Sequence, residues 1–399
     1  MSKFSSQPPT TDNKLQAPSG DAGQSLELVP DAPYKQGPPP DTDQRVAAYH
    51  AADNSQSQAL HRVTKPSMNR RAFFNNYKQR RIYMITMQME TNVPSLGELC
   101  ADLEETETGR AINNARIIPS LLGKAIHDCW LSIPYHHPEV TLVAFQLMPD
   151  HFHGLLFVTR EIHEVLGRIV NGFKTGCHRV FRKLYPEQAA DSSRIQCQKK
   201  GKADCPGFLF KKGYNDSILI GEDQFERMIA YIYDNPRRLA IRHLQSDFFR
   251  VHEGILVGGQ VCSAQGNLEL LGRPCVQVRV SRNVTSEDLE ALVQYFMTLG
   301  SSGNVLVSPC ISQGEKIIMR KAFDLRLPQI ILLDKGLNPR GKPYGERFEA
   351  CAEGRLLLLS PFPCSYSKKI ISRQECLQLN ALAKAIAEAS HKQASSLSS

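Results

Sequence analysis

Apolar side chains at every second position predict the strands in the central part of this chain of 399 residues. Residues 80–89 alternate in this way, which predicts a first strand. Two further runs, 141–147 and 151–158, are rich in apolar residues of high β-propensity. The Met-Pro-Asp turn between these two runs predicts that they pair as an antiparallel hairpin.

Apolar residues at steps of three and four predict helices. The segment 118–133 fits a helix that has Pro119 in its first turn. In the segment 165–184 the apolar positions fall on one helical face. A third, shorter helix over 225–235 follows two acidic residues and ends before Pro236, because proline cannot continue a helix.

The C-terminal part of the chain alternates between the two patterns. Residues 276–280, 304–308 and 329–333 predict strands, and the segments 285–299 and 314–325 predict the helices between them. This order predicts an open parallel sheet, whose carboxyl-end loops commonly hold ligands. The loop that opens the second helix carries free N–H groups that can hold a phosphate.

These patterns divide the chain into three parts. Residues 1–68 are rich in Pro, Ser, Gln, Asp and Gly without an apolar period, which predicts a disordered tail. We expect one folded domain over 69–252 and a smaller α/β domain over 260–390. The polar N-terminus and the absence of an apolar run of about 18 residues predict neither a signal peptide nor a membrane span.

Two histidines stand one residue apart at the start of a predicted strand. His151 and His153 project from the same face, so both imidazoles can reach one ion, while Phe152 points the other way. This arrangement indicates a metal site on a sheet. The alternative is that His151 caps a turn and His153 is a hydrogen-bonded core residue.

A tyrosine and an asparagine share one face of the predicted helix over 225–235. Tyr231 and Asn235 are four residues apart. A tyrosine beside a metal can attack a phosphodiester, and an amide oxygen one turn later can complete the coordination of the ion. Tyr233 has Arg237 at the same offset, which is no ligand. Alternatively, Tyr231 is a core aromatic and Asn235 only precedes the end of the helix.

The net charge of +8 permits a polyanionic partner. The helix over 165–184 is strongly basic, and further cations with interleaved aromatic residues follow it, a composition that suits single-stranded nucleic acid. A solvated helix face is the alternative. The DNA-binding residues that we predict are Arg168, Lys174, Arg179, Arg182, Lys183, Lys211 and Lys212.

The cysteines favour a reducing compartment. Eleven are present, an odd number, and none form a CxxC pair, so we expect a cytoplasmic protein without a disulfide framework. Cys197 and Cys205 alone make a weak zinc site.

Taken together, three motifs resemble those of the IS200-like transposases, in particular the REP-associated tyrosine transposase branch of the HUH endonucleases. They are the Met-Pro-Asp-His-Phe-His-Gly-Leu-Leu segment around His151, the Gly-Tyr-Asn-Asp-Ser-Ile-Leu stretch over 213–219 and the Tyr-Ile-x-x-Asn-Pro run from Tyr231. The resemblance covers about residues 70–250. It implies a ferredoxin-like α+β fold in which an antiparallel sheet bears the histidines. It also implies Mg²⁺ or Mn²⁺ bound by His151, His153 and Asn235, with Tyr231 as the nucleophile.

This resemblance implies a transposase or single-strand DNA endonuclease that forms a 5′-phosphotyrosine, releases a 3′-hydroxyl and can join strands again. We expect single-stranded or hairpin DNA as the partner. Members of the family often act as dimers, so a homodimer is expected. The alternative is a non-catalytic DNA-binding regulator on the same fold, and a third hypothesis is a replication or plasmid-transfer nickase.

The C-terminal region more weakly resembles the Rossmann-like domain of the DNA-processing protein A family. The match consists of the strand that leads into Ser281-Arg282 and a Val-Ser strand followed by a helix. The glycine-rich loop of that family is replaced by residues 308–313. Nucleotide or DNA binding and a purely structural role are both open for this domain.

Overall fold

The structure, a computed structural model, describes residues 75–106, 109–191, 209–364 and 370–397. The predicted tail, Cys197 and Cys205 lie outside the described residues. The strands are β1 (Arg81–Gln88), β2 (Gly97–Thr106), β3 (Gly109–Pro119), β4 (Val140–Leu147), β5 (His151–Val158), β6 (Asn215–Leu219), β7 (His252–Val257), β8 (Gln260–Gly266), β9 (Cys275–Gln277), β10 (Val305–Ser308), β11 (Gln329–Leu332) and β12 (Leu356–Ser360).

Helices of both α and 3-10 type connect these strands. The α-helices are α1 (Leu121–Leu131), α2 (Ile133–His136), α3 (Leu166–Leu184), α4 (Glu222–Leu244), α5 (Ser246–Phe249), α6 (Ser286–Ser301), α7 (Gln313–Asp324), α8 (Glu346–Ala352) and α9 (Arg373–Leu397). A 3-10 helix covers Leu268–Gly272. The described chain is thus α+β. None of its described helices combines the length and apolar character that crossing a membrane requires.

The first sheet is antiparallel and has the strand order β4-β5-β1-β6. The predicted hairpin of β4 and β5 is confirmed. Because side chains alternate along β1, Tyr83 packs with helices α1 and α3 on one face of the sheet. Ile82 packs on the other face with Phe225 and Ile232 of helix α4.

A β-ribbon of strands β2 and β3 precedes helix α1. The predicted helix start at residue 118 is wrong, because strand β3 continues to Pro119 and Ser120 caps the helix, its hydroxyl accepting the Gly123 N–H at 3.1 Å. The ribbon was missed because its strands have few apolar residues, so their alternation is weak.

Helix α4 does not end at Asn235. The predicted helix end is wrong, since α4 passes through Pro236 and continues to Leu244. Proline has no N–H to donate to the carbonyl of Ile232. The Asn235 amide Nδ2 donates to that carbonyl at 3.3 Å and to the Tyr231 carbonyl at 2.8 Å, which supplies a local substitute.

The second sheet has the strand order β7-β8-β12-β11-β10-β9. Strands β9 to β12 pair in parallel, and β8 joins β12 in the antiparallel sense. The three predicted strands and the two helices between them, α6 and α7, are present. Helix α9 packs on one face of this sheet, and helices α6 and α7 pack on the other.

Helix α4 also packs against the C-terminal part of the chain. Its residue Ile241 belongs to the same buried apolar cluster as Phe348 of α8 and Leu356 of β12. The helix that carries Tyr231 therefore has the first sheet on one side and helix α8 on another.

Candidate active site

The two histidines meet at the start of strand β5. Phe152 is fully buried on the side of helices α1 and α3, so His151 and His153 project toward helix α4. Their Nε2 atoms are 3.2 Å apart, and the rings are nearly perpendicular at 85°. His153 is buried at 6% exposure, whereas the side chain of His151 is 23% exposed. The pair is open to solvent on one side.

Each imidazole is held through its Nδ1 atom. Asp150 Oδ1 lies 2.6 Å from Nδ1 of His151, and Thr86 Oγ1 lies 2.9 Å from Nδ1 of His153. Thr86 takes this position because it pairs with His153 in the β1–β5 register. When both Nδ1–H groups donate to these oxygens, both Nε2 lone pairs are free and face the same region.

The charge state of His153 also suits ligation. Burial, reinforced by the neighbouring His151, lowers the pKa of His153 to about 3, so this imidazole is neutral near pH 7. The hydrogen bond from His151 lowers the pKa of Asp150, which keeps its carboxylate charged. A neutral imidazole whose other ring nitrogen is held by an oxygen is in the form that binds a metal ion.

The residues present fit a divalent ion. Two nitrogen ligands about 2.1 Å from an octahedral ion stand about 3.0 Å apart, close to the observed 3.2 Å. Among the described residues no group of three or more His, Cys, Asp or Glu side chains is arranged to hold a metal. The remaining positions of such an ion would therefore be filled by other groups, such as an amide oxygen, water or phosphate oxygens.

Tyr231 lies beside this pair. The centre of its ring is 5.9 Å from that of His153, and the residue is 40% exposed. Tyr233 instead packs against the apolar cluster between α4 and the first sheet. The structure thus brings together the predicted residues His151, His153 and Tyr231, and it leaves Tyr233 outside.

Asn235 follows one turn later and is 4% exposed. Its amide nitrogen is hydrogen-bonded to the helix backbone. Because an amide nitrogen is a poor ligand, Oδ1 is the atom of Asn235 that would bind an ion.

Two arginines belong to this region and were not predicted as site residues. Because α4 continues past Pro236, Arg238 and Arg242 fall on the helical face of Tyr231, seven and eleven residues later. The guanidinium carbon of Arg238 lies 5.7 Å from the centre of the Tyr231 ring. The signal in the sequence was the helical period counted from Tyr231, and the assumed helix end at Pro236 concealed it.

Arg242 has the more open environment. Burial and the charge of Arg238 lower its pKa, while Tyr231 and Asp150 are close enough to raise it. Within the described residues, the ion pairs of the arginines after Pro236 on α4 involve Arg237 and Arg238, and none involves Arg242. An anionic substrate would find this cation near Tyr231.

The predicted DNA-binding residues are split between two places. Helix α3 lies on the face of the sheet opposite His151, His153 and helix α4. Its exposed cations are Arg168, Arg179, Arg182 and Lys183, and Lys212 is exposed on a separate loop. Most of the predicted DNA contacts are therefore not brought to the histidine pair.

Lys174 and Lys211 have more local roles. Nζ of Lys174 donates to the Gly213 carbonyl at 2.6 Å, which fixes the loop after residue 210. Lys211 on that loop donates to Oε1 of Gln88 at 3.4 Å and contributes to the lowered pKa of Asp150. Lys211 is thus the predicted cation that lies on the side of the histidine pair.

The loop before helix α7, where the sequence predicts bound phosphate, binds several of its own N–H groups through side chains. Glu315, 3% exposed, accepts the Ile311 N–H at 2.7 Å and the Ser312 N–H at 3.4 Å through Oε2. Ser312 in turn caps helix α7 by accepting the Glu315 N–H at 3.1 Å. The N–H groups of Ile311, Ser312 and Glu315 are thus bound to side chains of the same chain, which argues against the expected phosphate site.

Comparison with known proteins finds only distant similarity. No family model matches the chain. An uncharacterized protein of Haemophilus influenzae is 23% identical over 181 residues, which are 40% of this chain and 83% of that protein. A solved structure of a REP-associated tyrosine transposase bound to a REP hairpin is 10% identical, over 42% of this chain and 74% of that one, with a TM-score of 0.25.

DNA processing protein A from Helicobacter pylori, solved for its mode of binding single-stranded DNA, is 20% identical. The match covers 35% of this chain and 65% of that one, and its TM-score is 0.27. TM-scores this low establish neither a shared fold nor a shared activity.

Proposed function

We propose that this protein is a metal-dependent single-strand DNA endonuclease and strand transferase of the HUH type, with Tyr231 as its nucleophile. The observation that carries the proposal is the meeting of a partly exposed tyrosine with two oriented imidazoles whose Nε2 atoms are 3.2 Å apart. The motifs shared with REP-associated tyrosine transposases support it. The proposal includes a ferredoxin-like HUH domain over 69–252 and a Rossmann-like domain over 260–390.

His151, His153 and Oδ1 of Asn235 would hold the Mg²⁺ or Mn²⁺ ion. When bound, such an ion supplies Lewis-acid stabilisation of the charge that develops on the phosphate oxygens. Asp150 and Thr86 keep the two imidazoles in place before DNA arrives. The preferred metal and these ligand roles are part of the proposal.

Tyr231 attacks phosphorus in line after its phenolic proton passes to water. A bond forms between the phenolic oxygen and phosphorus, the bond to the 3′-oxygen breaks, and that oxygen takes a proton to leave as a 3′-hydroxyl. Arg242 contacts the phosphate, because its cation lies near Tyr231 and forms no ion pair among the described residues. The reverse attack by another 3′-hydroxyl joins strands.

The substrate is unpaired DNA, since a phosphodiester must reach Tyr231 on helix α4, whose ring lies close to His153 of the first sheet. Single-stranded DNA beside a hairpin satisfies this requirement. We also predict that the protein acts as a homodimer.

Formation of a covalent protein–DNA adduct tests the proposal. Purified protein is incubated with labelled single-stranded hairpin DNA and Mg²⁺ or Mn²⁺, and adducts that resist denaturation are measured. We expect an adduct in the wild type and in Tyr233→Phe, but not in Tyr231→Phe or His151→Ala. An adduct that persists in Tyr231→Phe would refute the assignment of the nucleophile.

A non-catalytic DNA-binding protein is the second candidate. The observation that favours it is the placement of the exposed cations of α3 on the sheet face opposite Tyr231. Tight DNA binding without any adduct, across a broad pool of hairpins and both metals, would establish this second function in place of the first.

A further inference from the structure

Arg238 connects Tyr231 to helix α8, which lies between two strands of the second sheet along the chain. We propose that it is a positioning residue, through which helix α8 holds the phenol of Tyr231 in line with the scissile phosphate. This inference rests on the proposed function and goes beyond it by giving the C-terminal part of the chain a role in the reaction.

The guanidinium of Arg238 lies over two aromatic rings. Its carbon is 3.8 Å from the centre of the Phe348 ring and 5.7 Å from that of Tyr231. The distance to Phe348 is that of direct stacking. Since Phe348 is 1% exposed within the apolar cluster shared by α4, α8 and β12, it is a rigid support for the arginine.

Two carboxylates fix the orientation of the same group. Nη1 of Arg238 lies 3.3 Å from Oε1 of Glu349 and 3.5 Å from Oδ2 of Asp234. Arg238 is only 8% exposed, so it is committed to internal partners. A contact with DNA would require breaking these ion pairs, which makes positioning the role that fits its environment.

Helix α8 is the remote part of this arrangement. Phe348 and Glu349 lie on α8, between strands β11 and β12 of the second sheet, more than a hundred residues after Tyr231. A lysine would keep the charge but not the flat face that stacks on Phe348. The geometry therefore depends on an arginine at 238 and an aromatic ring at 348.

The expected consequence is a loss of rate without a loss of DNA binding. Misplacing a reacting group by about 1 Å can slow a reaction by about a hundredfold. We expect Arg238→Gln to slow adduct formation at saturating DNA by roughly 10- to 100-fold. The DNA concentration at half-maximal rate should change by less than about twofold, because the arginine makes no substrate contact.

Arg237 provides a matched control. It pairs with the same two acids, at 2.6 Å from Asp234 and 2.8 Å from Glu349, but its guanidinium does not lie over Tyr231. Because Arg237 is the more exposed of the two, Arg237→Gln should lower the thermal unfolding temperature no more than Arg238→Gln, and it should slow the reaction less than about twofold. Equal rates in the two variants would overturn the inference and leave only a structural role for Arg238.

Phe348→Leu removes the ring on helix α8 that Arg238 stacks on. It is a milder change and can be used if Arg238→Gln folds poorly. As a single change, Phe348→Leu should slow adduct formation about tenfold. Added to Arg238→Lys, it should have little further effect, because both changes remove the same stacking. Multiplied losses in the double variant would show that α8 does not act through Arg238. A wild type that forms no adduct would refute the proposed function, and this inference with it.

Discussion

Replacing Asn235 with alanine tests how helix α4 tolerates Pro236. In the structure the amide nitrogen of Asn235 donates to the Ile232 carbonyl, which has lost its usual donor because residue 236 is a proline. Alanine cannot donate, so Asn235→Ala leaves that carbonyl without a hydrogen bond in a buried part of the helix. If this explanation is right, a backbone N–H restored at 236 should repair the damage.

The magnitude follows from the two groups involved. An unsatisfied buried polar group costs about 1–3 kcal/mol, so Asn235→Ala should lower the free energy of unfolding by that amount. Proline in a helix interior costs about 3 kcal/mol relative to alanine. Pro236→Ala should therefore stabilise the protein by up to about 3 kcal/mol and should make the loss of the Asn235 amide largely silent.

Urea unfolding of the wild type, both single variants and the double variant measures this coupling. We expect the double variant to be far more stable than Asn235→Ala, with a coupling energy of about 1–3 kcal/mol. Additive changes in the free energy of unfolding would refute the explanation. Adduct formation distinguishes this structural role of Asn235 from its proposed role as a metal ligand. If Oδ1 of Asn235 is a metal ligand, the double variant regains stability but not activity.

Three other predictions concern packing, pH and salt. Gly154→Ala should lower the free energy of unfolding by about 1–3 kcal/mol, because an added Cβ would lie 2.4 Å from the buried ring of Trp130. The control Gly172→Ala meets nothing within 4 Å and should stabilise helix α3, so equal losses in urea would contradict this. Burial, with nearby cations, lowers the pKa of His178 to about 4, whereas the unfolded chain has a pKa near 6.5. Between these values only the unfolded chain binds the proton, so stability falls as pH drops from 6.5 toward 4, by about 1–2 kcal/mol after solvent screening. His178→Asn should flatten that dependence of the urea midpoint, and an unchanged slope would contradict it. Arg179→Gln should reduce the slope of log binding constant against log salt by about 0.7 if α3 contacts single-stranded DNA, and an identical slope would exclude Arg179 from the DNA path.

Local patterns in the sequence were sufficient to predict the hairpin that carries the histidines. Alternation in β4 and β5 and the Met-Pro-Asp turn define the pairing, and the same alternation orients His151 and His153 to one face. The βαβαβ order of the C-terminal region was likewise readable, because apolar runs and helical periods are local properties.

Tertiary structure decided what surrounds those residues. Proline is a helix stop by local rules, yet packing of α4 against the sheet and α8, together with the Asn235 amide, carries the helix through it. That continuation brings Arg238 and Arg242 to the face of Tyr231. Sequence alone also marked α3 as a DNA-binding surface without showing that it lies on the opposite face of the sheet from the site.

The candidate site thus depends both on local sequence patterns and on tertiary structure. Short sequence motifs predict the roles of His151, His153 and Tyr231. The placement of two imidazoles on one strand face and of a tyrosine on one helix face depends only on local geometry. The supports of that site, Thr86 across the sheet and Phe348 on helix α8, come from distant segments. Only the folded chain can bring them there, since no local pattern specifies a contact between residues so far apart.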